Sequence, residues 1–182
     1  MVPDETIFQQ LKAREPAAYE WLVVQFEAPL FRFFLCDHRD YHLAQEQTSE
    51  TFVEIIRSLP RMQGTESQLR PFVFSIARHL KSRHWRKPVV VCSPIENALD
   101  IRDPAPAPEA IASNREQTQQ MLNAIARFEP HVREILLLRF VEETSLDDIT
   151  EIVGLPLGTV KSHIHRGIAR LKSILTGKED EN

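Results

Sequence analysis

The sequence predicts an all-α chain: two small helical bundles, the second ending in a helix-turn-helix, joined by an extended linker. Three observations predict it. Only 5 of 182 residues are Gly, and helix formers dominate. Apolar residues recur at spacings of three and four over most of residues 4–86, and again over 117–175. Between these stretches the pattern dissolves into PVVVCSPIENALDIRDPAPAPEA, whose Pro-Ala run at 104–108 is extended and poor at forming helix. The boundaries that follow are 1–87 for the first bundle, 88–113 for the linker, 114–177 for the second bundle and 178–182 for an acidic tail.

Composition bounds the function. A net charge of −4 argues against a protein that coats DNA generally, so nucleic-acid binding must come from local patches, and the remaining acidity is available to a protein partner. Cys36 and Cys92 have neither metal-ligand spacing nor a disulfide-rich pattern, which suggests a reducing compartment. The N-terminal MVPDETIFQQ lacks the basic start and apolar core of a signal peptide, and no apolar run is long enough to cross a bilayer. A cytoplasmic protein without membrane contact is expected.

Taken in order, the first bundle has four helices. A short one around Ile7, Phe8 and Leu11 ends near Glu15-Pro16. A long one from Ala17 to about His38 carries Trp21, Leu22, Val24, Phe26, Leu30, Phe31, Phe34 and Leu35, and Pro29 removes a backbone donor that would otherwise keep it straight. The third, from about Leu43 to Leu59, buries Ala44, Phe52, Ile55, Ile56 and Leu59 and stops at Pro60. After the polar loop RMQGTESQ comes the fourth, Leu69 to about Arg86, with Phe72, Ile76, Ala77 and Leu80 as its packing stripe. No acid lies between Ser67 and Ile95, whereas Arg70, Arg78, Lys81, Arg83, Arg86 and Lys87 are cationic. Phe72, Phe74, His79, His84 and Trp85 are interleaved with them. Cations that hold phosphates among rings that accept unstacked bases suit a single-strand reader. Any one of these rings is also an ordinary core residue of a helical bundle.

The second bundle opens with a helix from Gln117 to Phe128, built on Met121, Leu122, Ile125 and Ala126. Pro130 starts the next, with Val132, Ile135, Leu136, Leu138 and Phe140. Then comes LDDITEIVGLPLGTVKSHIHRGIARLKSIL, two helices joined by a tight turn. Leu146, Ile149, Ile152 and Val153 make one apolar stripe; Gly154 suits a left-handed helix end, and Pro156 blocks continuation. The last helix opens around Gly158-Thr159 and turns Val160, Ile164, Ile168, Leu171 and Leu175 inward. Lys161, His163, His165, Arg166, Arg170 and Lys172 lie mostly off that stripe. The acids Glu142, Glu143, Asp147, Asp148 and Glu151 precede the turn, and none follows it before Lys178. This segregation suits a second helix pressed to phosphates and a first held away from them.

Two helical modules, one with a basic aromatic patch and one with a helix-turn-helix, resemble a bacterial sigma factor of the extracytoplasmic-function group. That group keeps only the second and fourth conserved sigma regions. FEPHVREILLLRFVEETSLDDITEIVGLPLGTVKSHIHRGIARLK follows the fourth-region pattern almost throughout, notably at Arg133-Glu134, at the Leu run ending in Arg139, and at Gly158 to Ser162 with Arg166. Ala44 to Phe52 looks like the helix that docks on polymerase, and Ile76-Ala77-Arg78 with Arg86 like the melting helix.

The resemblance implies binding to core RNA polymerase and direction of it to particular promoters. Thr159, Lys161, Ser162, His163, Arg166 and Arg170 would read the minus-thirty-five element as duplex, with Thr159 also capping the helix. Arg78, His79, Arg83, Trp85 and Arg86, with the loop from Arg61 to Gln68, would capture the minus-ten element as a flipped-out single strand. Gln45, Glu46, Gln47 and Glu50 would meet polymerase, and the linker would thread its active-site region.

One departure stands out. Gln45 and Gln47 occupy positions where the family usually has acids, which lowers the charge complementarity of the docking helix. Thr51, one turn after Gln47, and Thr48, three residues after Gln45, would restore negative charge if phosphorylated. A Ser/Thr protein kinase acting on Thr51, with Thr48 second, is one expected regulator; an anti-sigma factor is the other. A stand-alone helix-turn-helix regulator needs no strand-capturing surface, so the basic aromatic patch weighs against it. Catalysis is not expected: His163 and His165 fall on different helix faces without a carboxylate neighbour, and there is no phosphate loop, nucleophile elbow or cysteine cluster to hold a metal or cofactor.

Overall fold

The fold is that of a computed structural model, which describes residues 4–62, 65–85 and 109–176; for 4–6, 84–85 and 109–115 it describes the backbone alone. The described residues are all-α and fall into two units. The expected boundary segment 88–108, Arg86, Lys87 and the acidic tail lie outside them.

The first unit contains α1 (Asp4–Lys12), α2 (Pro16–His38) up to Phe34, α3 (Tyr41–Ser58) and α4 (Leu69–Trp85). Two single turns of 3-10 helix, Leu59–Arg61 and Glu66–Gln68, link α3 to α4. Its core is aromatic: Phe33 lies 5.5 Å from Phe34 and 5.6 Å from Phe74, edge to face. The sequence reading had not singled out Phe33, which is buried, whereas Val24, which it had named among the apolar residues of this helix, is 75% exposed. α2 is apolar nearly all round, so spacing alone cannot choose its buried face. Ile56 is likewise 43% exposed, and the inward isoleucine of that pair is Ile55.

α3 packs along α4 with a partly polar face. Ala44, Gln47, Thr48, Thr51 and Ile55, at spacings of three and four, are buried. A hydrophobic pattern cannot reveal such a face. The two hydroxyls are satisfied locally, Thr48 donating to the Ala44 carbonyl at 2.7 Å and Thr51 to that of Gln47 at 2.6 Å.

The second unit contains α5 (Glu109–Ile125), α6 (Pro130–Phe140), α7 (Leu146–Val153) and α8 (Leu157–Leu175), and Leu35–Asp40 groups with it. α5 starts within the stretch read as linker, because the residues after Pro108 are helix formers without another proline. α8 packs on α5, α6 and α7. α6 is buried on several sides, with Ile135 to Leu138 all at 1% exposure or less. Gly167 lets α8 approach α6 closely: a Cβ there would stand 2.6 Å from Leu136 Cδ2. Arg133 ties the corner before α6, its Nη2 donating to the Phe128 carbonyl at 2.9 Å and its Nη1 to Asp37 Oδ1 at 2.9 Å. Arg39 Nη2 donates to the Ala126 carbonyl beside it, at 2.9 Å.

Candidate nucleic-acid interface

The helix-turn-helix is built from local rules. Ser145 caps α7, its Oγ accepting the Asp148 amide at 3.0 Å. Gly154 ends α7 in the left-handed region at φ 68, a conformation that costs a residue with a Cβ about 1 kcal/mol. Leu155-Pro156 turns the chain, and α8 begins at Leu157 with Pro156 in the cap position. Thr159 is therefore the third residue of α8 and not its cap; its amide donates to the Pro156 carbonyl at 2.9 Å and the residue is half-buried.

The buried line of α8 runs through Val160, Gly167 and Leu171. Lys161, Ser162, His165, Arg166, Ala169 and Lys172 are exposed and occupy the outward arc. Two expected readers, the half-buried His163 and the exposed Arg170, also make contacts inside the unit. The half-buried His163 ring meets His131, near the start of α6, edge to face at 5.1 Å. Burial, His131 and Arg166 together hold the His163 pKa below its ordinary value, which favours the neutral ring. The Arg170 guanidinium lies 4.9 Å from the Phe128 ring centroid, a cation–π contact with the α5–α6 corner. His163 and Arg170 thus seat α8, and His165 points outward. The clue was in the spacing: His163 is three residues after Val160 and four before Gly167, on the buried row, whereas His165 is four after Lys161.

On α4, His79 and Arg83 are exposed one turn apart, with Ser75 and Ser82 on the same arc. Arg78 is half-buried. Lys81, counted among the cations of the patch, is only 8% exposed and sits 4.5 Å over the Phe33 ring. Phe74 is fully buried and Phe72 half-buried, so the rings in this stretch serve the core first. Trp85 ends α4 with its side chain outside the described residues, as is Arg86.

On α3, Gln45, Glu46 and Glu50 are exposed, together with Val53 and Ile56 at 47% and 43%. Gln47 is 2% exposed and takes no part in this outer face. Thr51 is fully buried and Thr48 is 5% exposed. Neither hydroxyl is within reach of a kinase while α3 stays packed, which corrects the expectation of an accessible switch. No group of three or more His, Cys, Asp or Glu that could hold a metal ion occurs among the described residues.

Comparison with known proteins places this geometry. The family described as "Sigma-70, region 4" matches residues 118–171, from the second half of α5 through most of α8. Over 159 residues the chain is 21% identical to the ECF RNA polymerase sigma factor SigX of Bacillus subtilis, covering 85% of this chain and 81% of the relative. It is 25% identical over 147 residues to the sigma factor YlaC of the same organism, covering 79% and 84%. Among solved structures, CnrH in complex with the cytosolic domain of CnrY aligns with TM-score 0.63 at 17% identity, over 97% of this chain and 99% of that one. RpoE of Bartonella quintana, solved with the anti-sigma factor NepR, gives 0.63 at 19% identity over 90% and 98%. The structural likenesses speak to the fold; in sequence, residues 118–171 match sigma-70 region 4, and the chain is similar over most of its length to RNA polymerase sigma factors of the extracytoplasmic-function group.

Proposed function

We propose that this chain binds core RNA polymerase and carries it to promoters through two separate surfaces, one for duplex and one for a melted strand. The observation that carries this reading is the outward arc of α8. It presents Lys161, Arg166 and Lys172 with Ser162 and His165 between them, while the acids Asp147, Asp148 and Glu151 stay on α7. That arc enters the major groove of the minus-thirty-five element, where cations hold phosphates and polar side chains meet base edges. His79 and Arg83, with Arg78, Trp85 and Arg86, take the non-template strand of the minus-ten element. Gln45, Glu46 and Glu50, with the apolar Val53 and Ile56, face polymerase. The protein works where polymerase works, in the cytoplasm; no helix among the described residues is long and apolar enough to cross a membrane.

Of the two expected regulators, an anti-sigma protein fits the geometry better. It needs only exposed surface, as an inhibitor of the kind found with RpoE would use, whereas a kinase needs α3 to leave α4 first. The experiment is gel filtration of the purified chain with core polymerase, followed by transcription from a random promoter library. Co-elution and enrichment of two separated elements support the reading. Operator binding without polymerase, and no co-elution, would make the chain a stand-alone regulator.

A further inference from the structure

α1 belongs to neither cationic face, yet it is tied to the segment that precedes α4. Ile7, Phe8 and Leu11 are 8%, 3% and 0% exposed, and α1 packs against both single turns, Leu59–Arg61 and Glu66–Gln68. The second turn is shaped by its own bonds: the Thr65 amide donates to Gln68 Oε1 at 3.3 Å, and the Thr65 and Ser67 hydroxyls are 2.8 Å apart. From this turn the Glu66 side chain reaches back to α1, where Oε2 accepts the Phe8 amide at 3.4 Å. A carboxylate in a segment that receives a polyanionic strand repels phosphate unless it is held elsewhere. Here it is held by a backbone amide in the middle of α1. Thr65, Ser67 and Gln68, by contrast, remain exposed, with hydroxyl and amide groups suited to the edge of an unstacked base.

We propose that α1 is a positioning element for strand capture and Glu66 its positioning residue. The bond to Phe8 draws the carboxylate away from the strand and fixes the turn that presents Thr65, Ser67 and Gln68, so it sets which base is accepted. This rests on the reading that the segment captures the minus-ten strand.

The test uses holoenzyme reconstituted from core polymerase and the full chain, transcribing a library randomised at both promoter elements. Glu66→Ala is compared with Glu66→Gln, which keeps a carbonyl acceptor for the Phe8 amide. Base preference at the minus-ten element should fall about fivefold in Glu66→Ala, the size of one hydrogen bond. Preference at the minus-thirty-five element and co-elution with polymerase should stay unchanged, the thermal midpoint should fall by no more than the loss of one hydrogen bond implies, and Glu66→Gln should restore most of the loss. Wild-type preference in Glu66→Ala overturns the proposal. So does an equal loss at both elements with a lower thermal midpoint, since Glu66 would then merely support the fold. Wild-type holoenzyme that selects no minus-ten element at all defeats the strand-capture reading itself.

Discussion

Gly167→Ala measures how closely α8 must sit on α6. In an open helix position the change would gain about 1 kcal/mol, because Ala loses less backbone entropy than Gly. At Gly167 the new Cβ meets Leu136 Cδ2 at 2.6 Å, Cδ1 at 3.0 Å and Cγ at 3.3 Å, and Leu136 is fully buried. Overpacking of a buried contact costs about 1–3 kcal/mol, so the net expectation is a loss of about 1 kcal/mol. For a unit of this size that lowers the thermal midpoint by about 4–8 °C. Gly158, in the same helix with nothing within 4 Å of its hypothetical Cβ, is the control: Gly158→Ala should be neutral or stabilising. Leu136→Ala alone should cost about 2–5 kcal/mol, and the double variant should be more stable than the two losses added, because the Cβ enters the vacated space. The assay is thermal unfolding of the full chain by circular dichroism. If Gly167→Ala raised the midpoint as much as Gly158→Ala does, the close approach of α8 and α6 would be wrong.

Three further outcomes follow from the same geometry. His163 has a lowered pKa, so below about pH 6.5 the unfolded chain takes a proton that the folded one resists, and stability falls with pH; His163→Gln should flatten that part of the midpoint-versus-pH curve. Thr51→Glu puts a carboxylate into a fully buried site and should cost several kcal/mol, whereas Gln45→Glu on the exposed arc should leave the midpoint within about 0.5 kcal/mol of wild type. Lys161→Ala and Arg166→Ala should each weaken binding to promoter duplex and reduce the slope of log affinity against log salt by about 0.9, measured by fluorescence anisotropy. Arg170→Ala should lower the thermal midpoint more than it changes that slope.

Much of this molecule was legible in its sequence, and the misses share a cause. The turn at Gly154 and Pro156 follows from backbone sterics, so it could be read without knowing any contact. Which face of α2 is buried could not, because Val23, Val24, Phe31, Phe33 and Phe34 are all apolar and only the partner elements choose among them. The buried side of α3 was hidden for the opposite reason: Gln47, Thr48 and Thr51 look like a solvated face until the two threonine hydroxyls are seen bonded to the backbone and the helix packed on α4. Charge segregation around the helix-turn-helix was visible as pattern. The division of α8 into cations that face outward and residues that seat the helix was not, since Arg170 and His163 declare their roles only through Phe128 and His131.

The central claim is that one chain supplies both a duplex-reading face and a strand-holding face to polymerase. Permanganate footprinting of a promoter selected from the library tests it most directly. Core polymerase with the wild-type chain should make thymines in the minus-ten region reactive, and Arg83→Ala should reduce that reactivity while leaving protection of the minus-thirty-five element intact. Protection of the duplex element without any reactive thymines, equally with and without polymerase, would contradict the account.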